Sequence, residues 1–368
     1  MAHPSSRRYG PCRVAACSKH PPRSAAESTG GSFTWKWPLK PPDPSRETPT
    51  IARSRLITTT HGTRPEAFGP VEWSLLAAVA VIWGSSFLWI EYGLESFRPP
   101  VVTTARVLFG VLALAVVPAA RRTRIDRSDW PRVVVLALTW MSIPLLLFPV
   151  AQRWIDSSVA GMVNGAVPLT TALVTVLVLR ALPGRVQVVG LLVGFAGVVC
   201  IAWPSVKDAD ATALGFLLCL VAVFLYGIGA NVAVPLQQRY GALPVLLRAL
   251  LVALVIVTPV GLAALPGSEW GAGSAAAMLP LGLLGTGWAY VAFATLSGRA
   301  GATRGAVAIY FTPVVAIVLG VVVRDEHVAA AALVGTVLVM LGAWLTSRGE
   351  AGRLADAVEE AESSEIAG

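Results

Sequence analysis

Residues 157–179 read SSVAGMVNGAVPLTTALVTVLVL, twenty-three residues without one charge. Wound as an α-helix at about 1.5 Å per residue, such a stretch reaches across ~30 Å of hydrocarbon. Its apolar residues follow no period-2 alternation, so it reads as a helix and not as a barrel strand. Eight further uncharged stretches cover 73–90, 133–152, 186–206, 211–238, 249–268, 270–298, 305–323 and 328–347, and a tenth stretch, 99–120, is broken only by Arg106. The sequence therefore reads as an all-α integral membrane protein with ten transmembrane helices.

Composition agrees. Of 368 residues, 55% are hydrophobic and only 14% charged, which leaves too few charges for a fully water-exposed surface. Disordered and disulfide-rich secreted classes are excluded by the same numbers. The net charge of +8 is unevenly placed: residues 1–70 hold eleven Lys and Arg against four acids, and 348–368 hold two Arg against six acids. The basic excess lies largely in an arm, so no nucleic-acid partner is indicated. Within that arm Cys12 and Cys17 are spaced C-x4-C with His20 nearby. The surroundings are rich in Pro, Ser and Arg without periodicity, so neither a metal nor a cofactor is expected there.

Basic residues also set the expected orientation. With the N-terminus inside, the inner loops carry ten arginines (121, 122, 124, 127, 132, 180, 185, 239, 299 and 304) and the outer loops carry Arg98, Arg153, Lys207 and Arg324. The positive-inside rule then places both termini in the cytoplasm and the chain in the cell membrane. Residues 1–70 lack the apolar core of a signal peptide and read as a disordered basic arm or an over-extended start of the reading frame. Residues 348–368 read as an acidic cytoplasmic tail.

The chain repeats itself. Shifted by 145 positions, 157–199 falls on 302–344 without a gap, with Pro168 on Pro313, Gly190 on Gly335 and Gly197 on Gly342. A weaker match sets Trp83-Gly84 on Tyr226-Gly227 and, after a two-residue slip, Arg106 near Arg248. This divides the protein into a first repeat at 71–206 and a second at 207–347. Each copy would hold five spans, and an odd number inverts the second copy in the membrane. Two inverted five-helix repeats form the architecture of a carrier whose central site faces either side in turn.

These residues resemble the EamA-like family of the drug/metabolite transporter superfamily. The resemblance rests on Trp83-Gly84-Ser85-Ser86-Phe87, on Pro99, Pro100 and Arg106, on the Pro168 helix and the Gly190/Gly197 helix ending at Trp203-Pro204, and on GATRGAVAIYFTPVVAIVLGVVVRDE with GTVLVMLGAW in the second half. It implies a secondary transporter, typically exporting amino acids, related metabolites or amphipathic drugs through a central cavity, with a proton as the coupling ion. The family often carries a Glu after the fourth span of each half. Here Glu326 is present and its counterpart is Ala181. A sugar-phosphate or nucleotide-sugar exchanger and a non-transporting scaffold are the rival readings. The exchanger would need clustered Lys or Arg, and the spans offer only Arg106 and Arg248. No phosphate-binding loop, intramembrane carboxylate or nucleophile–base pair suggests an enzyme.

Several residues inside the spans are candidates for substrate binding. Arg106 either snorkels to the headgroups or meets a substrate carboxylate. Asn164 lies four residues before Pro168 and either ties helices together or lines the cavity. Tyr310 and Thr312 occupy the matching stretch before Pro313, and Trp83 with Ser85 and Ser86 comes from the first span. Pro168, Pro313 and Glu326 are the expected bends and gating residues. Trp140, Tyr226, Asn231, Trp288 and Tyr290 read as interhelix packing, and Trp73, Trp130 and Trp270 as interface anchors. The expected partners are a small-molecule substrate and the lipid bilayer. If the second repeat is inverted, cysteines placed at residues 180 and 324 react with an impermeant thiol reagent from opposite sides of the membrane.

Overall fold

The computed structural model describes residues 69–179, 184–208, 210–300 and 307–346, and every regular element among them is helical. The basic arm, with Cys12, Cys17 and His20, lies outside the described residues, as do Ala181 and the acidic tail. Seven helices are long and apolar enough to cross a bilayer: α1 (Pro70–Leu94), α3 (Arg127–Ala151), α4 (Ser157–Leu177), α5 (Arg185–Trp203), α6 (Thr212–Tyr240), α7 (Ala242–Gly267) and α8 (Ala272–Ser297). Three apolar helices are shorter: α2 (Pro99–Ala115), α9 (Ala308–Arg324) and α10 (Ala330–Thr346). At ~1.5 Å per residue they fall at the short end of what spans hydrocarbon.

Local chemistry starts these helices where they start. Pro70 opens α1, where a missing N–H costs nothing, and Glu72 one turn on takes the Gly69 N–H at 3.1 Å. Pro99 and Pro100 do the same for α2. In α4 the helix is interrupted at Gly165 and Ala166, between Ser157–Asn164 and Val167–Leu179. Pro168 has no N–H to give the Asn164 carbonyl, and the amides of Gly165 and Ala166 instead reach three residues back, to Met162 and Val163. Its partner Pro313 sits inside an uninterrupted helix, Val307–Arg324. The two aligned prolines therefore have unequal effects on the backbone.

Two helices carry π-helical segments, Ala137–Ser142 in α3 and Pro280–Trp288 in α8. In the first, the Ser142 hydroxyl donates to the Ala137 carbonyl five residues back at 2.8 Å, and the following Pro144 cannot donate to Trp140. The second contains Gly282, Gly285 and Gly287, whose backbones bend at little steric cost.

Packing follows small residues. α1 packs against α8 and α9, α6 against α3 and α4, α2 against α7 and α8, α3 against α7, and α4 against α9. A Cβ on Gly84 of α1 would come within 2.5 Å of Val315 in α9, and one on Gly165 within 2.7 Å of Pro313. α5 and α10 touch through backbone: a Cβ on Gly197 would stand 2.6 Å from the Gly335 carbonyl, and one on Gly342 would meet the backbone of Gly190 and Gly194. The outer surface stays apolar, with Phe195, Val255 and Val322 at 68%, 74% and 73% exposure. Such a surface suits lipid and not water. Trp73, Trp130 and Trp270 are exposed at helix ends, where an interfacial belt would lie.

Backbone atoms cannot step aside as a side chain can. Gly342→Leu is expected to lower the thermal midpoint of the detergent-purified protein by several degrees, at a cost of about 1–3 kcal/mol. Gly273→Ala, where an added methyl meets nothing within 4 Å, leaves the midpoint unchanged or slightly raised.

Candidate functional site

The π segment of α8 organises the interior. Gly285, within it, presents its carbonyl to the Trp83 indole N–H of α1 at 3.1 Å. The next residue, Thr286, accepts the Arg106 Nε–H of α2 at 3.0 Å. A π turn puts consecutive carbonyls and side chains out of their α-helical register, which is how one short segment meets two different helices here. Arg106 is buried, with 8% exposure, near the middle of α2. Its Nε is bound to Thr286, the one side-chain hydrogen bond the guanidinium makes among the described residues.

Two sets of aromatic rings lie in this part of the bundle. Trp83 lies edge-on to Tyr290 at 6.0 Å and tilted against Phe293 at 5.2 Å, and Trp140 meets Tyr290 at 6.4 Å. Tyr226 stacks on Phe148 at 5.9 Å, and Phe148 meets Phe87 edge-on at 5.4 Å. The phenols of Tyr226 and Tyr290 both lie within electrostatic reach of the Arg106 guanidinium. A cation with free donors among amphipathic rings suits a ligand with a carboxylate and an apolar body.

The remaining expected residues separate into those near this space and those tied up elsewhere. Ser86 and Ser85 return their hydroxyls to the Ile82 carbonyl, and Ser86 packs against Gly285. Asn164 is half-buried at the α4 break, and its side-chain amide makes no hydrogen bond among the described residues. Tyr310 donates to the Ala343 carbonyl at 3.2 Å, which ties α9 to α10. Thr312 is fully buried with its hydroxyl unpartnered. Asn231 joins α6 to α4 through Thr175 and the Thr171 carbonyl.

Arg248 is not a second Arg106. Its guanidinium donates to the carbonyls of Ala120 and Arg121, in the short helix Pro118–Arg122 that follows α2. Glu326 accepts the backbone N–H of Ser157 and Ser158 at 3.1 and 2.9 Å and the Ser157 hydroxyl at 2.5 Å. It thus lies on the positive end of α4. Three residues outside the sequence expectation also matter: Thr286, Glu91, paired with Arg324 at 2.7 Å, and Gln152, whose amide holds the Phe87 carbonyl at 2.9 Å. Thr286 sits in LLGTGW, where a lone polar residue among glycines was the available signal. Among the described residues no group of His, Cys, Asp and Glu is placed to hold a metal.

Comparison with known proteins agrees with this arrangement. The model of the EamA-like transporter family matches residues 72–203 and again 213–348. The chain belongs to the EamA-like transporter family. As a family member it is a multi-pass membrane transporter. An "uncharacterized transporter" of Archaeoglobus fulgidus is 24% identical over 75% of this chain and 99% of its own length. YdfC of Bacillus subtilis, named an uncharacterized transporter, is 25% identical over 72% of this chain and 87% of its own. A protein of Streptantibioticus cattleyicolor named "Probable terminal-alkyne amino-acid exporter" is 25% identical over 77% of this chain and 96% of its own. One crystal structure, 18% identical, superposes with a TM-score of 0.56 over 78% of this EamA-like chain and 98% of its own, a likeness of fold alone.

Proposed function

We propose that this chain is a secondary carrier that exports a small carboxylate-bearing metabolite, an amino acid or an amphipathic drug, by alternating access. The observation that carries this reading is Arg106: buried mid-helix and held by one hydrogen bond, with the Tyr226 and Tyr290 phenols within electrostatic reach. Placing a charge near mid-membrane costs about 2.5–3.5 kcal/mol on insertion scales. A lone structural hydrogen bond to a threonine is a poor return for that cost, whereas an anionic ligand makes it favourable. The relative named for amino-acid export supports the substrate class.

The architecture behind this reading is ten spans in two inverted five-helix repeats, 71–206 and 207–347, with both termini in the cytoplasm of the cell. Packing supports it. Replacing each helix by the one five further along turns α1–α9 into α6–α4, α2–α8 into α7–α3, and α1–α8 into α6–α3, and all of these pairs pack. The pairs α2–α7 and α4–α9 map onto themselves. The double match to one family model follows the same division. Pro313 packs on Gly165 at the α4 break that Pro168 makes, where a hinge would serve. A sugar-phosphate exchanger is less well supported, because Arg248 is bound to carbonyls of the short helix Pro118–Arg122 and one interior arginine is too little for a phosphate dianion.

The test is flux in proteoliposomes. With a proton gradient imposed, labelled amino acids and amphipathic drugs are offered to the wild type, Arg106→Ala and Arg248→Ala. Movement of one solute class should fall at least about tenfold in Arg106→Ala and persist in Arg248→Ala. Equal flux through wild type and Arg106→Ala would remove Arg106 from the site.

A further inference from the structure

Where α2 and α6 finish and α3 begins, residues 117–129 make up the connection from α2 and the first turn of α3, and they are fastened at two points. The Arg248 guanidinium of α7 holds the carbonyls of Ala120 and Arg121, in the short helix Pro118–Arg122. Further on, the Tyr240 hydroxyl of α6 accepts the Asp126 N–H at 3.4 Å and donates to the Asp129 carboxylate at 2.7 Å. Asp129 is buried and also meets Arg132 at 2.7 Å and Arg239 at 2.8 Å, while Asp126 meets Arg239 at 2.7 Å. Both acids of the segment are thus engaged by arginines that lie outside it.

The side chains left over are basic. Arg121, Arg122, Arg124 and Arg127 are exposed, and none of the four has an ion pair among the described residues. Arginines elsewhere are engaged: Arg299 pairs with Glu72 at 2.6 Å, Arg324 pairs with Glu91 at 2.7 Å, and Arg98 donates to the Gly267 carbonyl at 2.9 Å. Four like charges on a short backbone held from two sides repel one another, and an anion laid over them relieves that repulsion.

The helix ends that flank these arginines are apolar at the surface. Leu112 and Val116 are exposed where α2 closes, and Trp130, Val134 and Val135 are exposed where α3 opens. A guanidinium takes a phosphate through paired N–H donors, and exposed aliphatic side chains a turn or two away suit acyl chains. Free phosphate would use the arginines and leave the apolar surface uncovered. Trp130 stands in the chain between Arg127 and the valines, as an interfacial ring does between headgroups and hydrocarbon.

We propose that Arg121, Arg122, Arg124 and Arg127 form a binding site for the headgroup of an anionic phospholipid, and that Arg248 and Tyr240 shape it by fixing the backbone that carries them. The ligand is a phosphodiester whose negative charge no headgroup amine offsets, as in phosphatidylglycerol. Its acyl chains lie against the apolar ends of α2 and α3. Only one half of the chain carries such a site: the connection from α7 to α8, residues 265–271, holds no Lys or Arg. The proposal does not depend on which solute the chain moves.

The test titrates the full chain in detergent with phosphatidylglycerol or phosphatidylcholine and counts bound lipid by native mass spectrometry. Phosphatidylglycerol should bind at least about tenfold more tightly than phosphatidylcholine. The quadruple variant Arg121→Gln, Arg122→Gln, Arg124→Gln, Arg127→Gln should lose that preference. A variant with the same loss of charge in the basic arm, Arg7→Gln, Arg8→Gln, Arg13→Gln, Arg23→Gln, should keep it. Tyr240→Phe removes no charge but releases the Asp126 amide, and should weaken phosphatidylglycerol binding about threefold. Equal affinity for the two lipids overturns the proposal, as does a quadruple variant that retains the preference or an arm variant that loses it. Inorganic phosphate that displaces the lipid at millimolar concentration assigns the arginines to a free anion and overturns the lipid. Unchanged affinity in Tyr240→Phe leaves a merely charged surface and overturns the shaped site. Each variant is compared at a thermal midpoint matching wild type in phosphatidylcholine. If the quadruple variant fails that control, the pairs Arg121→Gln with Arg122→Gln and Arg124→Gln with Arg127→Gln replace it, and each should lose part of the preference.

Discussion

A backbone N–H or C=O in hydrocarbon has no water to turn to, so each must be paired within the protein. The fold can be read as a response to that constraint. Where the chain is ordinary it winds into helices that satisfy themselves. Where it is not, the freed groups are answered locally, by the Ser142 hydroxyl on Ala137 and by the tight turn at Gly165 and Ala166. The same departures expose groups that a regular helix would hide, and the Gly285 carbonyl meeting Trp83 is one of them. Irregular backbone and candidate function coincide because irregularity is tolerated only where protein or a cavity receives it.

Without a hydrophobic force between helices in lipid, close backbone approach carries the association. Gly84 against Val315, Gly165 against Pro313 and Gly197 against Gly335 are contacts that a single methyl would disturb. These glycines lie on helices from both halves, so they hold the halves together.

Two copies of one plan have been put to unequal uses. Arg106 reaches the interior while Arg248 binds the short helix Pro118–Arg122. Pro168 interrupts its helix and Pro313 does not. Glu326 lies on the start of α4, and the matching residue of the first half is an alanine. A symmetric carrier has two equivalent faces. Here Glu326 caps the start of α4, a contact for which the first half has no matching carboxylate, and this makes the two ends chemically distinct.

The class of protein was legible in the sequence because burial in lipid is a property of composition and length. Uncharged stretches of about twenty residues have few alternatives. The family was legible too, and its model matches the chain twice, at 72–203 and 213–348. Partners were not legible. Arg106 and Arg248 look alike along the chain, and only the fold sets one beside Thr286 and the other beside Ala120. Tyr310 read as a cavity residue, but its hydroxyl reaches Ala343, thirty-three positions away. The Glu91–Arg324 pair joins residues 233 positions apart, and nothing local announces it. Which helices form, and that they sit in lipid, is written in hydrophobicity and length. Which polar side chains meet between them depends on rotation and crossing of whole helices, a long-range outcome that only the tertiary structure decides.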